Sequence, residues 1–173
     1  MLRDATPADF PAILALNETF VRVLSPLDGE RLARLHAQAA LHRVIEQDGR
    51  IEAFLLVFRE GADYDSPNYR WFVQRHERFL YVDRIVVAAD TQARGAGSQL
   101  YRDVYALALR DGVPLITCEF DIEPPNPASE RFHARLGFRE IGRQQLDGGR
   151  KTVSLQALDI TTGNTSLGKI DAG

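Results

Sequence analysis

The chain has 173 residues, 45% apolar and 26% charged, a balance that suits one globular domain with an ordinary core. A net charge of -3 and a pI near 5.8 argue against binding to nucleic acid or to an acidic membrane, since either would require a basic face. Cys118 has no second cysteine to pair with, the start MLRDATPADF lacks the apolar stretch of a signal peptide, and no apolar run approaches the roughly 18 residues of a membrane span, so the expected setting is cytoplasmic.

Residues 2–5 read as a short strand. Thr6 and Pro7 supply an N-cap and a first-turn proline for a helix carrying Ile13, Leu14 and Leu16. A second helix is expected over residues 31–42, RLARLHAQAALH, where Leu32, Leu35 and Ala39 recur at three and four. Residues 43–47 and 51–58 then flank Asp48-Gly49, the best short-range hairpin signal in the chain. Residues 59–78 read as an insertion rich in aromatics and turn formers, and loops of that length are usually functional or disordered.

The second half is patterned more regularly. FLYVDRIVVA, 79–88, is a strand of β-branched and aromatic residues whose alternation puts Tyr81, Asp83, Ile85 and Val87 on one face. Leu100, Val104 and Leu107 mark a helix that Gly112 stops. PLITCEF, 114–120, is a further strand, continuing so that Thr117, Glu119 and Asp121 share a face. Asn126 and Pro127 open a last helix, ended by Gly137. Two strands joined at Asp147-Gly148-Gly149 close the sheet, and residues 161–173 form a polar tail.

Between the strand at 79–88 and the helix after it stands TQARGAGSQL, 91–100. Free backbone N–H groups at a helix start attract phosphates, and glycines let them approach. Two phosphate loops fail here: a P-loop needs Lys and Ser or Thr after its second glycine, and the dinucleotide fingerprint needs a small residue where Leu100 stands. What fits is Gln92-x-x-Gly95-x-Gly97, which resembles the acyl-CoA pyrophosphate loop of the GNAT superfamily of N-acetyltransferases. NPASERFHARLGF, 126–138, is similar to that family's later motif, with Asn126, Ser129, Leu136, Gly137 and Phe138 in register. The resemblance runs over residues 2–158. SPLD, YDSPNYRWF and PPNPAS further resemble a bacterial subgroup of predicted acetyltransferases.

The resemblance implies an α/β (α+β) fold: a mixed, mostly antiparallel sheet of about six to seven strands, splayed between the fourth and fifth, with about four helices over its two faces. It implies one domain over 1–160 and acetyl-CoA as cosubstrate; His36, His42 and His76 show no metal-ligand spacing with each other, so no metal site is expected. Gln92, Arg94, Gly95, Ala96, Gly97 and Ser98 would cradle the pyrophosphate. Val86, Val87 and Ala88 would pair with the pantetheine arm, and Asn126 would contact that arm or simply cap its helix. A backbone N–H there would polarise the thioester carbonyl.

Two proton transfers remain. The family usually returns a proton to the departing thiolate through a Tyr, and His133 holds that position here, either as the acid or as a helix-surface residue filling the groove. Asp83, Glu119 and Asp121 are the candidate bases, each with the alternative of a salt-bridged strand carboxylate partnered by Arg84 or Arg143. Asp28, Tyr64, Asp65, Tyr69 and Trp71 either hold a cationic amine by stacking and charge or anchor the insertion to the core or to a second subunit in a homodimer. The implied activity is acetyl transfer to a primary amine of a small molecule, amino acid or peptide. A non-catalytic acyl-CoA-binding module is the alternative, and a member that acetylates charged tRNA is disfavoured by the charge.

Overall fold

The computed structural model describes residues 1–20, 24–91 and 94–161. Gln92 and residues 162–173 of the expected tail lie outside the described residues.

After β1 (Leu2–Asp4), the Thr6 amide and hydroxyl both donate to Asp9 Oδ2, at 2.8 and 3.0 Å, closing one tight turn ahead of α1 (Phe10–Glu18). The next helix, α2 (Gly29–Gln38), ends earlier than the apolar repeat suggests. Ala39 is extended, and Leu41 and His42 belong to β2 (Leu41–Gln47). Tertiary packing overrides local periodicity there: His42 pairs across from Leu56 and is buried beside Phe10 and His36. Asp48 and Gly49, both at positive φ, turn the chain into β3 (Arg50–Arg59).

The segment read as a loop insertion contains a helix, α3 (Pro67–Val73), started by Ser66 accepting from the Tyr69 amide and by Pro67 in its first turn. It makes five helices among the described residues instead of about four, and at seven residues it is too short to declare a helical period. Then come β4 (Leu80–Val87), α4 (Ala96–Asp111), β5 (Leu115–Glu123), α5 (Pro127–Leu136), β6 (Arg139–Leu146) and β7 (Lys151–Asp159).

The seven strands form one sheet in the order β1-β2-β3-β4-β5-β7-β6, antiparallel at every junction except β4 against β5. That parallel junction holds only two residue pairs, Leu80 with Ile116 and Tyr81 with Thr117. Beyond Tyr81 the two strands part, which is the expected splay. Helices α4 and α5 pack on one face through Leu100, Tyr101, Val104 and Leu136, whereas α1, α2 and α3 cover the other through Ile13, Leu32, Leu35 and Phe72.

One register detail corrects the alternation expected for β4. Val82 faces Val57 and Arg84 faces Leu56, so Asp83 is an extra residue in a bulge. Past it, Ile85 and Val87 pack toward α4, while Tyr81, Asp83 and Val86 engage the α1–α3 side. The four residues do not share a face.

Candidate active site

The phosphate turn is built as its glycines demand. Gly95 caps α4 in the left-handed region at φ 75°, a conformation open to glycine at little cost, and offers no side chain to the helix start. The first intrahelical bond there is Gln99 N–H to Gly95 O, so the amides of Ala96, Gly97 and Ser98 precede the helical ladder. Gly97 serves packing as well: a Cβ on it would lie 2.9 Å from the Phe132 ring tip on α5. Arg94 donates to Gln47 at 3.0 Å. Val86 pairs with Phe54 and Val87 with Ala53, and Ala88 N–H donates to Glu52 O at 2.8 Å, so this end of β4 is fixed on its β3 edge and diverges from β5 on the other. Asn126 Oδ1 accepts from Ser129 N at 3.3 Å, the capping geometry.

On the opposite sheet face the carboxylates fall into two environments. Asp83 takes the Tyr64 hydroxyl on Oδ1 at 2.6 Å and Arg84 Nε on Oδ2 at 3.0 Å. Arg84 is itself buried and reaches Asn17 Oδ1, Ser25 O and Ser25 Oγ, so it ties β4 to α1 and to the chain before α2. Glu119 Oε1 accepts from Tyr81 Oη at 2.9 Å, and its Oε2 is shielded from solvent with no partner in bonding range among the described residues. Burial first, then the charge of Asp83, pushes the Glu119 carboxyl up to about 8, against the pull of Tyr81, Asn68 and Lys151. Asp121 meets Lys151 Nζ at 3.2 Å and is raised by burial, with Lys151 opposing. Asp83, Glu119, Tyr64 and Tyr81 are brought together, and Asp121 lies further along β5 with a cation of its own.

His133 lies on the α4–α5 face and is 3% exposed, so it is not the helix-surface residue of the second expectation. Its Nδ1 is 2.8 Å from Ser129 O and its Nε2 2.8 Å from Tyr101 Oη, with Phe120 stacked beside the ring. A carbonyl only accepts, so Nδ1 carries the hydrogen and Nε2 accepts from the tyrosine. Burial lowers the imidazole pKa to about 4, so the ring is neutral at pH 7.

The residues expected around an acceptor divide similarly. Tyr64 reaches Asp83. Asp28 caps α2 by accepting from Arg31 N, and Arg31 spans to Asp65 at 2.8 Å with its guanidinium 5.8 Å from the Tyr64 ring centre, so the cation there is the protein's own. Tyr69 donates to Arg59 O and accepts from Ala62 N, pinning the segment to β3. Trp71 lies over Gly142, where a Cβ would be 2.4 Å from the indole, and Arg75 stacks on it at 3.9 Å. It borders a groove with His76, Leu115 and Arg139 that takes in none of Asp83, Glu119 and Asp121. Asn68, whose Oδ1 accepts from Gln144 Nε2 at 3.1 Å, carried no signal in the sequence beyond its place in YDSPNYRWF. Among the described residues no three His, Cys, Asp or Glu gather as a metal site, and no helix is long and apolar enough to cross a membrane.

A family profile described as the acetyltransferase (GNAT) family matches residues 10–138. Phosphinothricin N-acetyltransferase of Streptomyces coelicolor is 43% identical over 68 residues, 39% of this chain and 37% of that protein, so the chain matches less than half the length of this curated relative. Among solved structures, yncA of Salmonella typhimurium, solved with its cofactor acetyl-CoA, aligns with a TM-score of 0.67 at 19% identity over 92% of this chain and 93% of that one. The ribosomal-protein-alanine N-acetyltransferase of Brucella melitensis aligns with a TM-score of 0.66 at 20% identity over 92% and 99%. At such identities these structures speak for the fold, while the profile extends through both the phosphate turn and the NPASERFHARLGF segment. The chain belongs to the GNAT acetyltransferase family.

Proposed function

We propose that this protein transfers an acetyl group from acetyl-CoA to a primary amine of a small molecule, amino acid or peptide, directly within a ternary complex, with Glu119 as the base. The observation that carries this reading is a shielded carboxylate, raised to about 8, on β5 just past the last residue pair joining it to β4. A base with a pKa near that of its task is an efficient one.

Arg94, Gly95, Ala96, Gly97 and Ser98, together with Gln92, would hold the pyrophosphate, and Val86, Val87 and Ala88 the pantetheine arm, in the opening between β4 and β5. The role of Asn126 is to hold α5, which packs Phe132 beneath Gly97. Glu119 takes a proton from the acceptor ammonium. The freed nitrogen attacks the thioester carbon, a C–N bond forms, the C–S bond breaks, and the second proton shed by nitrogen balances the one gained by the departing thiolate. His133 acts through Tyr101 as a neutral acceptor that orients α4 on α5, and Asp83 stays beside the base as the charge that raises it. Tyr64 orients Asp83, while Asp28, Tyr69 and Trp71 shape the acceptor side by fixing α2 and α3.

The test measures thermal stability with acetyl-CoA, CoA and NADH, then thiol release against a panel of amines. Stabilisation by acetyl-CoA and CoA that follows ligand concentration, with thiol release for some amine, supports the reading. Stabilisation without release for any amine points instead to an acyl-CoA-binding module, and no stabilisation by either acyl carrier overturns both.

A further inference from the structure

The hairpin of β2 and β3 carries a buried carboxylate that no step of the proposed transfer uses. Ile45 and Glu46 on β2 face Ala53 and Ile51 on β3, so Glu52 is an extra residue in a bulge, a device that re-aims a side chain. Its Oε2 accepts from the Thr91 hydroxyl at 2.9 Å, and both residues are buried, Glu52 at 8% exposure and Thr91 at 3%. The other acceptor near that hydroxyl, Asp90 Oδ1, is 3.4 Å away on an exposed residue. The backbone carbonyl of Glu52 also takes the Ala88 N–H, at 2.8 Å. One residue therefore grips both ends of the segment 88–91, a turn closed by Thr91 N–H to Ala88 O at 2.9 Å. The next link is Arg94 N–H to Thr91 O at 3.0 Å, and Gly95 follows as the cap of α4. Gln47, on the β2 arm of the same hairpin, accepts from Arg94 Nη1 at 3.0 Å.

We infer that Glu52 is a positioning residue for the pyrophosphate turn, acting through Thr91, so that a strand outside the opening between β4 and β5 sets the amides that receive the cofactor's phosphates. The inference rests on the proposed binding of acetyl-CoA at Arg94 to Ser98. A carboxylate only accepts hydrogen bonds and shares the sign of a phosphate, so its place beside this turn is that of an anchor and not of a ligand. A turn that must aim several N–H groups at one pyrophosphate gains affinity from being set before the ligand arrives, because ordering it on binding would subtract from the affinity. Valine at position 91 keeps the β-branched shape and removes the donor to Glu52, whereas serine keeps the donor and removes only a methyl group.

The experiment compares the wild type with Thr91→Val, Thr91→Ser and Glu52→Gln. Thermal-shift titration with CoA gives the binding constant. With an amine that supports thiol release, kcat/KM is measured for acetyl-CoA and for S-acetylpantetheine, which carries the thioester without the pyrophosphate. Thr91→Val is expected to weaken CoA binding about ten-fold and to narrow the preference for acetyl-CoA over S-acetylpantetheine by a similar factor, as the loss of a hydrogen bond to a charged group does. Thr91→Ser restores most of both, and Glu52→Gln, whose amide still accepts but carries no charge, falls between. A Thr91→Val protein that melts lower yet binds CoA with the wild-type constant and keeps the preference overturns the inference, since the contact then supports only the fold. If the wild type itself is stabilised by neither CoA nor acetyl-CoA, the cofactor reading falls and this inference with it. Glu52→Gln keeps the side-chain volume and decides the matter if Thr91→Val does not fold: a wild-type CoA constant in that variant overturns the role of Glu52.

Discussion

The Tyr81 hydroxyl donates to Glu119 Oε1 across 2.9 Å, bridging β4 and β5 just beyond the last backbone pair that joins them. The donor and the acceptor therefore come from the two strands that part beyond Tyr81. Replacing Glu119 by Gln keeps the shape and one acceptor but removes the carboxylate proposed as the base. The expected outcome is a loss of about a hundred-fold or more in kcat/KM with stabilisation by acetyl-CoA retained, read from thiol release and thermal melts.

The same carboxyl links stability to pH. Its pKa rises from 4.5 to about 8 on folding, so the folded chain binds more protons than the unfolded chain between those values. The stability this gives is complete below 4.5 and is lost as pH rises through 8. Glu119→Gln does not pay that charge burial, so its melting temperature gains on the wild type as pH is raised from 5 to 9. A constant difference across that range would contradict the burial described for this carboxylate.

His133 responds in the opposite direction. Its pKa falls from 6.5 to about 4, so its contribution is present above 6.5 and is lost as pH drops toward 4, on the order of 3 kcal/mol at most. Tyr101→Phe removes the donor from buried Nε2, at a cost of about 1–3 kcal/mol in denaturant titration at neutral pH. Thiol release per folded molecule stays close to the wild-type value if the imidazole orients helices, and falls steeply if it moves the proton.

Gly95 and Gly97 separate two reasons for glycine in one turn. Gly95→Ala strains a left-handed residue with open space around it, a cost of about 1 kcal/mol to the apoprotein. Gly97→Ala sets a methyl against the Phe132 ring and shifts α5 against α4. Acetyl-CoA titrations followed by melting temperature should show weaker stabilisation in both, and Phe132→Leu should restore part of it only for Gly97→Ala.

Most of the strand and helix order was legible in the sequence because long apolar repeats and glycine stops carry it: Leu100, Val104 and Leu107 are buried in α4, and Gly112 and Gly137 both end helices at positive φ. Three features were not legible. The end of α2 is set by His42 being drawn into the sheet, a tertiary demand that local spacing cannot express. The bulge at Asp83 breaks a two-residue alternation without any glycine to announce it. Asn68 and Gln144 are 76 positions apart and meet only because β7 runs between β5 and β6, placing β6 beside α3. The candidate carboxylates were all visible, but choosing among Asp83, Glu119 and Asp121 required knowing that Arg84 and Lys151 had already been assigned to two of them.

Two residue pairs are a thin seam for a sheet of this width. β1 to β4 make one plate and β5 to β7 another, and besides those two pairs the Tyr81–Glu119 contact, the Thr117 hydroxyl on Leu80 O and the helices on either side join them. The seam is therefore where the sheet has the fewest backbone pairs to resist bending, like two boards on a short hinge. A strand-like guest laid in the seam would complete the lamination, so binding would stiffen the whole molecule and not merely occupy a cleft in it.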